Sequence, residues 1–261
     1  MDMSILGIDI GGTEIKILCT TAPGERRGLA LTIKTLKTKR RFFDALSQAV
    51  KSVIAENSVV GIGIGAPGIV DPKRGILMHA PNLLFLNGWN IKRFFKKFKV
   101  PIKIDNDSRC FLRAEAFAGA GKGKKYIAVL TIGTGIGGGF LIDGRVYFGK
   151  HSGAGEFGHM VVNQGKTLEQ LAGKRAFKKL DDKNEIVGIG VANIINAFDP
   201  EVVIIGGGAL YAKRLQISKI CLVARRYIMS PIGKKTPIVA GRIGEYAGAL
   251  GATLLFPSED R

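Results

Sequence analysis

Residues 5–10 and 14–20 are runs rich in β-branched residues and leucine, separated by Gly11-Gly12, and 28–34 follows after Pro23-Gly24, so a strand meander is predicted at the start of the chain. Phe42, Phe43, Leu46, Val50, Val53 and Ile54 recur at the spacing of one helix face, which predicts a helix over about 40–56. The run from Val59 to Gly65 reads as a buried, glycine-rich strand, 92–98 as a short basic helix and 100–105 as another strand. After a helix from 107 to about 119 the opening pattern returns, with strands at 126–132 and 137–142 and a turn at Asp143-Gly144. Helices over about 167–180 and 184–198, a buried strand at 201–205 and a largely helical stretch at 209–229 follow. A strand at 237–240 and a closing helix at 245–256 complete the pattern, and the small residues of that helix are expected to pack closely at an inter-domain hinge.

The strand–glycine turn–strand unit occurs once in each half, so the chain is predicted to be α/β with two related domains. The first spans 1–105 and is completed by a C-terminal helix of about 245–261; the second spans 106–244.

Composition adds a compartment and one anomaly. Hydrophobic residues make up 46% and charged residues 23%, as in ordinary globular domains, and 261 residues are ample for a sizeable core. No apolar run reaches the ~18 residues of a membrane span. No signal-peptide pattern is present, and Cys19, Cys110 and Cys221 are odd in number, widely spaced and set in apolar surroundings. Reduced thiols in a cytoplasmic protein without a membrane partner are expected.

The anomaly is a net charge of +18, which favours polyanionic partners but says nothing of fold. In Lys92–Lys99, Phe94, Phe95 and Phe98 share one helical face, so a buried aromatic stripe under solvated lysines is expected rather than a nucleic-acid or membrane surface. Lys122, Lys124, Lys125, Lys174, Arg175, Lys178 and Lys179 spread over several surfaces, and no specific nucleic-acid partner is expected.

The candidate chemistry lies in two glycine-rich turns, Gly7-Ile8-Asp9-Ile10-Gly11-Gly12-Thr13 and Gly133-Thr134-Gly135-Ile136-Gly137-Gly138-Gly139. Glycine at such turns bares successive backbone N–H groups, which form anion-binding concavities. Asp9 adds a carboxylate suited to a hydrated Mg²⁺, since hard cations take oxygen ligands and keep several waters. Asp107, read alone, is an N-cap; it is also a carboxylate placed to accept a proton from a hydroxyl nucleophile, with Asp105 as its rival. Glu156, His159 and Glu169 suit a polyhydroxylated ligand, because carboxylates accept from hydroxyls and neutral imidazole both donates and accepts.

Taken in order, these motifs resemble the ROK sugar kinases of the actin-like ATPase superfamily over nearly the whole chain. The resemblance implies the two-domain actin-like, ribonuclease H-like α/β fold, with nucleotide and sugar in a cleft between domains. It implies nucleotide binding by Asp9, Gly11, Gly12, Thr13, Lys16, Gly133, Thr134, Gly135, Gly137, Gly207 and Gly208, the last two in Gly206-Gly207-Gly208 where the adenosine motif belongs. Asn106, Glu156, His159 and Glu169 are implied as sugar-binding residues, with Asn82 and Gly68 as further candidates, and Asp107 after Asn106 as the general base. ATP as co-substrate, Mg²⁺ held through water by Asp9, a hexose as acceptor (glucose first) and a homodimeric assembly complete the expectation.

One departure stands out. Many members carry a Cys-x-Cys-Gly-x-x-Gly-Cys zinc motif between the positions of His159 and Glu169, whereas Met160–Thr167 holds no cysteine. Zinc needs about four nitrogen or sulfur ligands. No zinc is therefore expected, and packing alone is expected to order Glu169. The family's repressors carry a helix-turn-helix ahead of the first phosphate motif, and Asp9 stands too near the start for one to be expected. Polyphosphate-using relatives also lack the zinc cysteines, so polyphosphate stands as an alternative donor. Fructose, mannose and N-acetylmannosamine stand as alternative acceptors.

Overall fold

A computed structural model describes residues 3–174, 176 and 183–256. The chain divides into two compact units, Met1–Ala114 with Tyr246–Arg261, and Glu115–Glu245.

In the first unit β1 (Ser4–Ile10), β2 (Glu14–Thr20) and β3 (Leu29–Lys34) form the antiparallel meander that the sequence predicts. Helix α1 (Lys39–Glu56) follows and buries Phe42, Leu46, Val50 and Val53. Strand β4 (Val59–Ala66) pairs parallel with β1. A small antiparallel sheet of β5 (Ile69–Asp71), β6 (Ile76–His79) and β7 (Trp89–Asn90) comes next, followed by α2 (Ile91–Phe95), capped by the Asn90 side chain. Strand β8 (Ile102–Asn106) extends the main sheet to the order β3-β2-β1-β4-β8 and leads directly into α3 (Asp107–Ala118).

The aromatic stripe is borne out on a shorter helix than expected: Phe95 is fully buried, and Phe94 and Phe98 pack partly buried against the same core. The ammonium of Lys97 lies 4.1 Å from the Phe94 ring centre, so the lysines of this segment cover the stripe as their polar ends reach water.

The second unit repeats the plan. Strands β9 (Ile127–Ile132), β10 (Ile136–Ile142) and β11 (Arg145–Val146) are antiparallel, and a small hairpin of β12 (Val161–Asn163) and β13 (Lys166–Thr167) leads into α4 (Leu168–Ala172). The helix expected to run on to 180 stops at Gly173, and Arg175, Lys178 and Lys179 lie outside the described residues. Helix α5 (Lys183–Phe198), strand β14 (Val202–Gly206), α6 (Gly208–Tyr211), α7 (Ile217–Tyr227) and β15 (Ile238–Ala240) follow. The sheet order β11-β10-β9-β14-β15 matches the first unit's, an antiparallel meander whose first strand pairs parallel with the next.

Helix α8 (Ala247–Thr253) returns the chain to the first unit. Its small residues pack on that unit's own sheet and on α3. A Cβ at Gly7 of β1 would stand 2.0 Å from Ala249 O, one at Gly63 of β4 1.9 Å from Ala252 O, and one at Gly251 of α8 1.7 Å from Cys110 O. Glycine is required on both surfaces because backbone meets backbone. No described helix is long and apolar enough to cross a membrane.

Candidate active site

In the first unit Asp9 is the last residue but one of β1, opposite Lys16 of β2. Burial, and next the charge of Asp107, raise the Asp9 carboxyl to about 7, against an opposing pull from Lys16. The Gly11-Gly12-Thr13 turn joins β1 to β2 and is held from the far end of β3. Thr35 Oγ1 donates to Gly11 O at 2.8 Å, Thr35 N donates to Thr13 O at 2.9 Å, and Lys37 Nζ donates to Gly12 O. The Gly11 amide closes its own turn onto Glu14 O at 3.0 Å, so it is not one of the bared donors that the turn was expected to present.

The strand-to-helix corner at the end of β8 carries the other half of this unit's chemistry. The cap of α3 is Asn106, not Asp107: Asn106 Oδ1 accepts from Ser108 N at 2.9 Å and Arg109 N at 3.1 Å. Asp107 is the first residue of the helix, half-buried, with Oδ1 accepting from Ser108 N at 2.7 Å. Asn106 Nδ2 donates to Gly68 O at 3.0 Å, which ties the loop after β4 to the corner. Gly68 has φ of +78°, and a Cβ there would meet His79 O at 2.1 Å, so only glycine fits this approach. Asn82 is half-buried in the turn before Leu83. The rival carboxylate, Asp105, is 1% exposed and held by Arg109 Nε at 2.6 Å and Arg113 NH2 at 2.9 Å. Both oxygens of Asp105 are thus engaged within the protein, which leaves Asp107 as this corner's candidate base.

In the second unit the Gly133–Gly135 turn joins β9 to β10, and Gly133 N donates to Gly135 O at 2.9 Å. Thr134 is half-buried at its tip, and Gly137 pairs with Thr131. Gly207, with φ of +94°, lies so close to β9 that a Cβ would meet Ile132 O at 2.5 Å, and Gly208 opens α6 beyond it. Glu156 is half-buried, and its carbonyl accepts from His159 N at 3.0 Å; the His159 side chain is exposed.

Glu169 is ordered by more than packing. Its Oε2 accepts from Ile136 N at 2.6 Å, and its helix, α4, begins with a reciprocal capping box between Thr167 and Gln170. The structure thus brings Glu169 onto the strand that leaves the second glycine-rich turn. Asp9 and Asp107 are likewise coupled by charge in the first unit, and Asn106 and Gly68 by a hydrogen bond.

Sequence reasoning missed Thr35, Lys37, Arg109, Arg113 and Gly248. Arg109 and Arg113, four residues apart on the expected helix, share a face, and that spacing could have shown the arginine pair. Lys37 and Gly248 reach the site through tertiary packing that carries no local signal. Among the described residues no group of three or more His, Cys, Asp or Glu is arranged to hold a metal ion.

The ROK family profile matches residues 5–179 and 164–259. The chain therefore belongs to the ROK family. It is 27% identical to a glucokinase of Halalkalibacterium halodurans, covering 99% of this chain and 96% of that protein. It is 29% identical to a beta-glucoside kinase of Listeria monocytogenes, covering 99% of both. Among solved structures it superposes on the ROK hexokinase of Thermus thermophilus with a TM-score of 0.78, 30% identity and 97% of both chains covered. For the ROK family glucokinase of Streptomyces griseus, in complex with glucose and AMPPNP, the TM-score is 0.84 at 26% identity, covering 97% of this chain and 98% of the other. For an inorganic polyphosphate/ATP-glucomannokinase from Arthrobacter the TM-score is 0.77 at 27% identity, with 97% of both chains covered. The fold is the actin-like ATPase fold, and within its family the chain stands among the sugar kinases.

Proposed function

We propose that this chain transfers the terminal phosphoryl group of ATP to a hexose, glucose first, with Asp107 as the general base. The observation that carries the reading is the pairing of two carboxylates in one unit. Asp9 stands beside the first phosphate turn, Asp107 heads α3, and each feels the other's charge. Asp107 accepts the proton of the sugar hydroxyl as that oxygen attacks phosphorus, a task that needs an ionised carboxylate within hydrogen-bond reach. Its place at the positive end of the α3 dipole favours that ionised form. Asn106, Gly68 and Asn82 in one unit, with Glu156, His159 and Glu169 in the other, are the residues proposed to orient the sugar hydroxyls. Gly12, Thr13, Lys16, Thr134, Gly135 and Gly137 are those proposed to hold the phosphates, and Gly207 and Gly208 the adenosine; the Gly133 amide, like that of Gly11, is used within its own turn.

Asp9 fits a divalent cation held through water, because a buried carboxylate raised to about 7 gains most from a positive partner. Magnesium, when bound, neutralises charge on the phosphates in transfer. The test is a panel of hexoses, including mannose, fructose, N-acetylmannosamine and a beta-glucoside, with ATP and Mg²⁺, followed by sugar phosphate formation. Turnover of glucose above the others supports the reading; turnover of none contradicts it.

A second reading, polyphosphate as an alternative donor, rests on a specific surface. Lys34, Lys37, Lys39, Arg40 and Arg41 are all exposed where the first phosphate turn is tied down, and Asp44 pairs with Arg40 at 3.8 Å. An extended polyanion held by such side chains loses rate steeply with salt, while ATP held by backbone and metal loses less. Initial rates with both donors at low and high ionic strength separate the two readings.

A further inference from the structure

We infer that Asp105, through Arg109 and Arg113, is a positioning residue that sets the corner from which Asp107 and Asn106 work. The inference rests on the kinase reading given above.

The Asp105 carboxylate makes contacts in several directions at once. Oδ1 accepts from Arg109 Nε at 2.6 Å and from the backbone amide of Asn106 at 2.7 Å, while Oδ2 accepts from Arg113 NH2 at 2.9 Å. One side chain thereby joins the last peptide of β8 to the first two turns of α3. Asn106 then distributes that constraint. Its oxygen caps the helix headed by Asp107, and its amide nitrogen holds Gly68 O. The path from Asp105 to the candidate base is a single peptide and a helix cap, and the path to the Gly68 loop is the same peptide and one side-chain bond.

Stability alone does not account for so expensive an arrangement. The side chains of Asp105 and Arg109 are 2% and 3% exposed, and removing two such charges from water costs several kcal/mol per ion before any attraction is counted. Replacing a buried ion pair by an apolar pair of the same volume is often neutral or stabilising. The ion cluster supplies direction instead. A carboxylate with short bonds on both oxygens fixes the plane of the peptide it also holds, and misplacement of a reacting group by about 1 Å costs on the order of 10² in rate.

Two guanidiniums on one carboxylate also leave a net positive charge in the cluster. Both guanidiniums stand on the helix that Asp107 heads, so the cluster is built into the element that carries the candidate base. Cys110 reports the same crowding, since its thiol is pushed up by burial and then by Asp105, with Asp9 and Asp107 adding to the effect and Arg113 opposing.

The test compares Asp105→Asn and Arg113→Met with the wild-type chain, measuring kcat, KM for sugar and KM for ATP per folded molecule, with folding checked by circular dichroism. Arg113 is the safer site, because its side chain is 24% exposed and its loss leaves Asp105 with Arg109. The expected result for Arg113→Met is a kcat lowered by about tenfold and a raised sugar KM, with ATP KM within about twofold of wild type. Asp105→Asn is expected to lower kcat further, by about 10²; if that variant does not fold, Arg113→Met decides alone. A lower melting temperature with kcat and sugar KM unchanged per folded molecule overturns the inference and makes the cluster a purely structural one. A wild-type chain that phosphorylates no sugar overturns the kinase reading itself, and this inference with it.

Discussion

The backbone of Gly248 lies directly against the carboxylate of Asp9: a Cβ built on Gly248 would stand 2.3 Å from Asp9 Oδ2. Helix α8 closes the first unit by laying its smallest residues on the glycines of β1 and β4, and at this point the contact reaches the candidate magnesium ligand.

Gly248→Ala is therefore expected to lower activity although alanine is the better helix former. In an unhindered helix the change stabilises by roughly 0.5–1 kcal/mol. Here the added methyl must displace either the Asp9 carboxylate or the helix, and kcat is expected to fall by about 10² while sugar affinity changes little. Steady-state kinetics and sugar titration check this. Wild-type kcat in the variant contradicts the close approach.

The pH dependence of stability follows from the same carboxylate. Asp9 keeps its proton to about 7 in the folded chain against an ordinary value of 3.8, so between these values the folded state binds more protons than the unfolded. Stability from this group is thus lost as pH rises through that window, and none is lost below it. Asp9→Asn removes the penalty. In metal-free buffer its melting temperature relative to wild type is expected to be higher at pH 8 than at pH 5; an equal difference at both contradicts the buried, proton-holding state of Asp9.

Much of the frame was legible because its signals are local. The strands of both meanders end at Gly-rich turns, and the apolar face of α1 repeats at helical spacing, so these elements lie within a residue or two of expectation. The break within 209–229 was not legible. Helix α6 ends at Tyr211, Lys213 takes a positive φ of 54°, and α7 starts only at Ile217, with no proline or glycine to mark the gap. The sheet of β5, β6 and β7 was missed because strands so short show no alternation. At the site, motifs named Asn106 and Asp107, but the cap expected at Asp107 falls to Asn106. Which of two adjacent polar residues caps a helix depends on where the strand before it stops, and β8 runs through Asn106.

Glu169 yields a prediction about the short loop. Glu169→Ala leaves the Ile136 amide without its carboxylate partner, a loss of about 1–3 kcal/mol for a donor on a buried residue. Under the proposed sugar role the variant raises sugar KM by at least about tenfold. Thr167→Ala breaks the capping box, costs about 1 kcal/mol in stability and raises KM less. Unchanged sugar KM in Glu169→Ala removes this residue from the sugar site.

The most direct measurement is the turnover of Asp107→Asn. The substitution keeps size and leaves the Asn106 cap in place, yet removes the proton acceptor. With glucose, ATP and Mg²⁺, kcat is expected to fall by about 10²–10⁴ while sugar affinity stays within severalfold of wild type. Turnover close to wild type would contradict the account, because no proton acceptor at the head of α3 would then be needed for the reaction.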